Sequence, residues 1–135
     1  MFDDKVWLVS KVSAGALAKR FKAVAQNIAN VNTPGYKRKE VEFEKTLKEA
    51  LQGTDKVQLE VTNERHIGGG RKLQDLSAEA FKEKRVSGES YRLDGNNVDP
   101  EVEMAKMMET RLAYDGVLRM MAKRVDMLKT AMGGK

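Results

Sequence analysis

The sequence predicts a mainly α protein: long N- and C-terminal helices with coiled-coil-like packing, joined by a small, partly extended α/β middle region. Three observations predict it. Apolar residues recur at alternating three- and four-residue steps over both ends of the chain, the rhythm of a heptad seam. The stretch between them is polar and broken by glycine. Of the 135 residues 41% are hydrophobic but only 6% aromatic, while 33% are charged, which suits a helix-rich, surface-rich chain without a thick core. The expected division is an N-terminal helix over 1–33, a middle region over 34–98 and a C-terminal helix over 99–135.

The first helix is read from Val6 to Val31. Its seam is Trp7, Ser10, Ala14, Leu17, Phe21, Val24, Ile28 and Val31, with Ser10 the one polar member. Ala14, Gly15, Ala16 and Ala18 keep the adjoining surface thin, so a partner helix can come close. The helix should stop near Asn32. Pro34 disfavours α geometry at Thr33, and Pro34-Gly35 suits a type II turn.

In the middle, Lys39 to Leu51 carries Phe43, Leu47, Ala50 and Leu51 at helical spacing, and Gly53 ends the run. Val57 to Val61 alternates apolar and polar, as a half-buried strand does. Gly68-Gly69-Gly70 reads as a connector, Leu73 to Phe81 as a helical turn and Val86 to Leu93 as an extended segment. Asp94-Gly95-Asn96-Asn97 is a turn cluster.

The last third reads as one long helix. Asp99 is an apt N-cap, and Pro100 fits the first helical position. Glu101 and Glu103 are read as ordinary first-turn charges that the helix dipole favours. The seam is Met104, Met107, Arg111, Tyr114, Leu118, Met121, Val125, Leu128 and Met132, broken only by Arg111. Gly116 costs about 1 kcal/mol in a helix interior, and Gly133-Gly134 ends the helix.

At 1.5 Å per residue the two helices are roughly 40 and 50 Å long. The polar residues between them cannot blanket both stripes, and exposed apolar stripes are what soluble monomers avoid. Seam surface is therefore left for another copy or another protein. The competing arrangement is a closed intramolecular bundle.

Little in the chain points to chemistry. There is no cysteine, so disulfides and thiolate metal sites are excluded. His66 is the only histidine and reads as a loop residue rather than a metal ligand or triad member. Gly68-Gly69-Gly70-Arg71-Lys72 lacks the Gly-Lys-Ser/Thr ending of a phosphate loop. No catalytic, cofactor-binding or metal residue is assigned, and no cofactor or small-molecule substrate is expected. No stretch approaches the ~20 apolar residues of a membrane helix. Met1-Phe2-Asp3-Asp4-Lys5 does not read as a signal peptide. The net charge of +5 and the cluster Lys37-Arg38-Lys39 support an alternative, a basic coiled coil binding nucleic acid or an anionic membrane surface. The basic residues alternate with acidic ones, however, and no nucleic-acid module is legible.

Asn27-Ile28-Ala29-Asn30-Val31-Asn32-Thr33-Pro34-Gly35-Tyr36-Lys37 resembles the N-terminal signature of flagellar rod and hook proteins. Asp94-Gly95-Asn96-Asn97-Val98-Asp99, followed by Glu103-Met104, resembles the start of their C-terminal helix. Thr62 to Ile67, with His66, and the short chain fit the proximal-rod branch of the basal-body rod family. Pro100 stands where that pattern leads one to expect another residue. The resemblance implies a non-enzymatic structural subunit of the bacterial flagellar rod. It further implies export through the flagellar type III apparatus without a cleaved signal peptide, self-assembly above the membrane ring, and torque transmission across the periplasm. Its implied partners are other rod proteins, copies of itself, the basal-body ring and the export apparatus, with no nucleic acid. The implied assembly seam is Leu17, Phe21, Val24, Ile28, Leu118, Met121, Val125 and Leu128. The motif residues are Asn27, Asn30, Thr33, Pro34, Gly35 and Tyr36.

Overall fold

The computed structural model describes residues 5–52, 81–88 and 92–133. Their order is helix α1 (Lys5–Ala29), strand β1 (Lys39–Val41), helix α2 (Glu44–Gln52), strand β2 (Glu83–Arg85) and helix α3 (Pro100–Ala131). The long helices pack together and the middle is small and partly extended, as the sequence predicts. The expected strand at Val57–Val61, His66, the glycine run at 68–70 and the helical turn begun at Leu73 lie outside the described residues.

The C-terminal end of α1 meets the N-terminal end of α3, where Asn27 hydrogen-bonds Glu103 at 2.8 Å. The helices therefore run antiparallel. Val12, Ala16, Leu17 and Ala23 of α1 form the core with Val41, Phe43 and Phe81, and Tyr114 and Val117 of α3 pack against it. Phe43 and Phe81 meet edge to face, centroids 5.9 Å apart, the geometry that ring quadrupoles favour. Two buried hydroxyls sit in the helix contact. Ser10 Oγ donates to Val6 O at 2.7 Å and Thr110 Oγ1 to Lys106 O at 2.7 Å, so neither is left unpaired.

The helix boundaries follow local chemistry. α1 closes two residues before the expected Val31, because Asn30 N donates to both Gln26 O and Asn27 O (3.1 Å each) and the last turn tightens. Asp99 caps α3 through Oδ1, which accepts from Glu101 N (3.0 Å) and Val102 N (3.3 Å), and Pro100 opens the helix. Gly133, at φ +78°, turns the chain out of α3.

One expectation is corrected, and one strand is new. Lys39 to Leu51 is not one helix. Its first residues form β1, because both main-chain groups of Lys39 are taken by Asn27, and the helix starts only at Glu44. A strand not expected from the sequence stands just before the segment expected to be extended, Val86 to Leu93, of which residues 89–91 lie outside the described ones. β2 is Glu83–Arg85, antiparallel to β1 with Glu40 opposite Lys84, and Lys39 pairs with Glu83 at 3.2 Å. Charged residues rather than apolar alternation fill this ribbon: Glu40 faces Lys84, and Lys39, opposite Arg85, reaches diagonally to Glu83.

Candidate functional site

Where α1 ends and α3 begins, the two signature segments lock into a single polar joint. Asn27 is its centre and is fully buried. Its Nδ2 donates to Lys39 O and to Glu103 Oε2, both at 2.8 Å. Its Oδ1 accepts from Lys39 N at 2.8 Å and from the Tyr36 hydroxyl at 3.3 Å. One amide thus ties α1, β1, the turn and α3, with both its ends satisfied. Any apolar substitute leaves those groups unpaired.

Asn96 is the second centre and is also fully buried. Its Nδ2 reaches the carbonyls of Asn30, Val31 and Thr33 at 2.9–3.0 Å, the acceptors that the end of α1 exposes. Its Oδ1 accepts from Val98 N at 2.8 Å. Asn97 continues the stitching, accepting from Arg38 N at 2.7 Å and donating to Val86 O at 2.7 Å.

Between these centres lies the Thr33-Pro34-Gly35-Tyr36 turn. Tyr36 N donates to Thr33 O at 3.3 Å, and Gly35 holds φ +70°, as the third residue of a type II turn must. Gly35 N also donates to Asp94 O at 2.8 Å, and Lys37 Nζ donates to Gly95 O at 2.6 Å. Gly95 has φ +76°, and a Cβ there would lie 3.8 Å from the Gly35 Cα. Asn30 completes the turn, donating to Gln26 O and accepting from Thr33 Oγ1 at 3.2 Å. All six motif residues named from the sequence therefore belong to this joint.

Glu103 is the residue that sequence reasoning missed. It is no ordinary first-turn charge but a buried carboxylate, 1% exposed. Asn27 donates to it, with Arg38 Nη1 at 3.7 Å, Lys106 Nζ at 4.0 Å and the start of α3 supplying positive potential. The hints in the sequence are that it falls beside the apolar rhythm and that it stands in the segment resembling the start of the rod-protein C-terminal helix. The cluster Lys37-Arg38-Lys39 is spent internally, with Lys39 Nζ reaching Gln26 and Glu83. A cleft of about 180 Å³ beside Glu103 is lined by Arg20, Lys39 and Lys106 among others. Each of these cations already has an acidic partner, Glu44, Glu83 and Glu40 respectively. Among the described residues no group of three His, Asp or Glu side chains could hold a metal ion. None of the helices among them is long and apolar enough to cross a membrane.

A second fastening lies along α1. Arg20 donates to Val41 O (Nε 3.0 Å, Nη2 2.9 Å) and to Glu44 at 2.6 Å, with its guanidinium 4.6 Å over the Phe43 ring. Burial raises the Glu44 carboxyl, but the Arg20 hydrogen bond and charge and the main-chain N–H groups of Glu44 and Phe43 outweigh it. The carboxyl is held below its ordinary range.

The eight residues of the expected seam fall into three groups. Leu17 and Val24 are buried inside the subunit. Ile28, Met121, Val125 and Leu128 are half-buried. Phe21 and Leu118 face outward, 39% and 42% exposed. On α3 the line that faces α1 runs through Glu103, Thr110, Tyr114 and Val117, one position before Met104, Arg111 and Leu118.

The family profile described as "Flagella basal body rod protein" matches residues 14–37, the second half of α1 together with the turn. The "Flagellar basal body rod protein FlgB" of Bacillus subtilis is 33% identical over 116 residues, covering 84% of this chain and 83% of that protein. The chain belongs to the FlgB family of flagellar basal body rod proteins. The FlgB of Aeromonas hydrophila is 29% identical over 132 residues, 98% of this chain and 96% of its own length. That of Escherichia coli K12 is 32% identical over 101 residues, 72% of this chain and 70% of its own. As a FlgB-family member the chain is a structural subunit of the basal-body rod. Asn27, the centre of the joint, lies within the matched segment, and Asn96 and Glu103, which lie beyond it, bind that segment through the joint.

Proposed function

We propose that this chain is a non-enzymatic subunit of the proximal rod that polymerises through its terminal helices and transmits torque across the periplasm. Its neighbours are copies of itself, other rod proteins and the ring on which the rod stands. It reaches them through the flagellar export apparatus without a cleaved signal peptide. The observation that carries the reading is the surface of α3. Met104, Met108, Leu112, Leu118, Met120 and Met127 are each between 42% and 76% exposed, a load of apolar surface that an isolated soluble chain avoids. In the seam, Leu17 and Val24 act indirectly by holding α1 in place, while Phe21 and Leu118 face the neighbour. Ile28, Met121, Val125 and Leu128 line the edge between the two roles. The unit of assembly is the helix pair built from 1–33 and 99–135, and 34–98 is carried on it. The internal pairing of Lys37, Arg38 and Lys39 speaks against the nucleic-acid alternative.

The test is imaging of basal bodies from a strain whose only copy of this chain is labelled. The label is expected in the rod next to the membrane ring. Leu118→Asp, at an exposed position, should leave helicity and expression unchanged and abolish both incorporation and swimming. Normal rods built from that variant would refute the assembly role of this face.

A further inference from the structure

The two helices carry unlike outer faces. α1 contains Lys5, Lys11, Lys19, Arg20 and Lys22 and no acidic residue. The side turned away from its buried line presents Ala14, Ala18, Phe21 and Ala25, of which Ala18 and Phe21 are exposed, with exposed Lys11 and Lys22 beside them. This is a shallow apolar groove with cationic borders. On α3, Met104, Met108, Leu112, Gly116 and Met120 follow one another at four-residue steps, an i±4 ridge about 24 Å long. Met104 is 59%, Met108 69% and Leu112 76% exposed. Glu101, Glu109 and Asp115 border the ridge, with Arg111 and Arg119 the cations beside them. None of Lys11, Lys22, Glu101, Glu109 and Asp115 forms an ion pair among the described residues.

Gly116 adds an independent observation. A glycine in the interior of a helix is destabilising, yet a Cβ at this position would meet nothing within 4 Å. No contact inside the subunit requires it. A notch in the middle of an exposed ridge is what an approaching helix or aromatic ring needs.

We propose that a second copy of this chain covers the ridge: the α1 groove of one subunit receives the Met104–Met120 ridge of the next, with Phe21 entering the notch at Gly116. Pairing α1 with α1 sets lysines against lysines, whereas groove on ridge sets Lys11 and Lys22 against Glu101, Glu109 and Asp115. Both faces point away from the contact between α1 and α3, so they cannot meet within one molecule. Each subunit then offers one face and receives the other. Such a heterologous contact propagates as an open helix rather than closing as a dimer. The inference rests on the rod-subunit reading and specifies the surface and polarity of its self-assembly.

The chain has no cysteine, so introduced thiols are unique. The only copy in a flagellated host is replaced by the Ala18→Cys/Leu112→Cys double variant or by either single variant. Basal bodies are isolated and treated with a short bis-maleimide. The double variant is expected to give a ladder of cross-linked multimers and the single variants none. Incorporation without a ladder overturns this contact and leaves the rod reading intact, and cross-linking of Leu112→Cys alone overturns it in favour of symmetric pairing. Absence of the unaltered chain from basal bodies overturns both. Charge reversal gives a second readout independent of the thiols. Lys11→Glu/Lys22→Glu and Glu101→Lys/Glu109→Lys should each lose incorporation, and the fourfold combination should regain it. Undiminished incorporation of both reversed pairs, or no recovery in the combination, overturns the proposal.

Discussion

Replacing Asn27 by leucine is the sharpest test of the joint, because it keeps the branched shape and removes every side-chain hydrogen bond. Four partners lose their group: Lys39 N, Lys39 O, Glu103 Oε2 and the Tyr36 hydroxyl. The tyrosine is half-buried and can turn to water. The two main-chain groups and the buried carboxylate cannot do so without opening the joint. At about 1 kcal/mol for each partly buried main-chain group and about 2 for the carboxylate, offset slightly by the leucine's burial, the loss is about 3–5 kcal/mol. That is a large share of the about 5–15 kcal/mol that holds a domain of ordinary stability. Urea unfolding of the full chain reads it, followed by helical circular dichroism and by fluorescence of Trp7, the single tryptophan. At a slope of about 2 kcal/mol/M the midpoint should fall by roughly 1.5–2.5 M. Asn30→Leu is the control. The same chemical change there removes only a bond to Gln26 O and one to the exposed Thr33 hydroxyl, and should cost about 1 kcal/mol. If Asn27→Leu is no more damaging than Asn30→Leu, the joint does not hold the helix pair and this account of the motif is wrong.

Three further outcomes follow from the same geometry. Gly35→Val forces a β-branched residue to φ +70° and should destabilise the chain by about 1–3 kcal/mol. The variant should be made and exported yet enter rods poorly, and normal swimming would reduce the turn to a spacer. Asp99→Ala removes the cap of α3 and should lower stability by about 1 kcal/mol, with amide exchange rising first at Glu101 and Val102. Because the folded Glu44 carboxyl lies below its ordinary value of 4.5, the stabilisation it gives is present above that pH and is lost as pH falls through the folded value. Glu44→Gln should therefore flatten the acid side of a stability-versus-pH curve, by little because the carboxylate is 61% exposed and screened. An unchanged slope would show that the Arg20 contact contributes nothing there.

The features legible in the sequence are those encoded locally. Asp99-Pro100 announces the start of α3, and Thr33-Pro34-Gly35-Tyr36 and Asp94-Gly95-Asn96-Asn97 announce turns, because each acts through its own few residues. The ribbon of β1 and β2 is illegible for the opposite reason. Its strands are short and highly charged, and what makes them strands is pairing with each other and the grip of Asn27 on Lys39. Glu103 shows the same limit more sharply. An acidic residue in a first helical turn looks like a dipole charge until Asn27, 76 positions earlier in the chain, arrives beside it. Three members of the α3 seam, Met104, Arg111 and Leu118, stand one position past the buried line for a related reason, while Tyr114 of the same seam packs on the core. Apolar rhythm points to Met104 and Arg111, whereas the buried line includes Glu103 and Thr110, whose polar atoms are satisfied by Asn27 and by Lys106 O. A periodicity argument counts only apolar residues, so it misplaces a helix contact that polar residues share.

A polar joint at this end of the helix pair has a consequence that apolar packing alone does not provide. Apolar contact between two helices is non-directional and tolerates sliding, whereas hydrogen bonds from Asn27 and Asn96 to named main-chain groups hold one angle and one register. The joint also gathers the exit and re-entry of the middle region at a single point. Lys39 leaves from Asn27, Asp94 returns to Gly35, and Val86 N meets Arg38 O at 2.9 Å between them. On the assembly proposed above the angle between α1 and α3 must be held constant, since a small error in each subunit accumulates along a rod. The signature residues sit where that angle is set, while the apolar ridge of α3 and the lysine-bordered groove of α1 stay outside the joint, free to meet a neighbour.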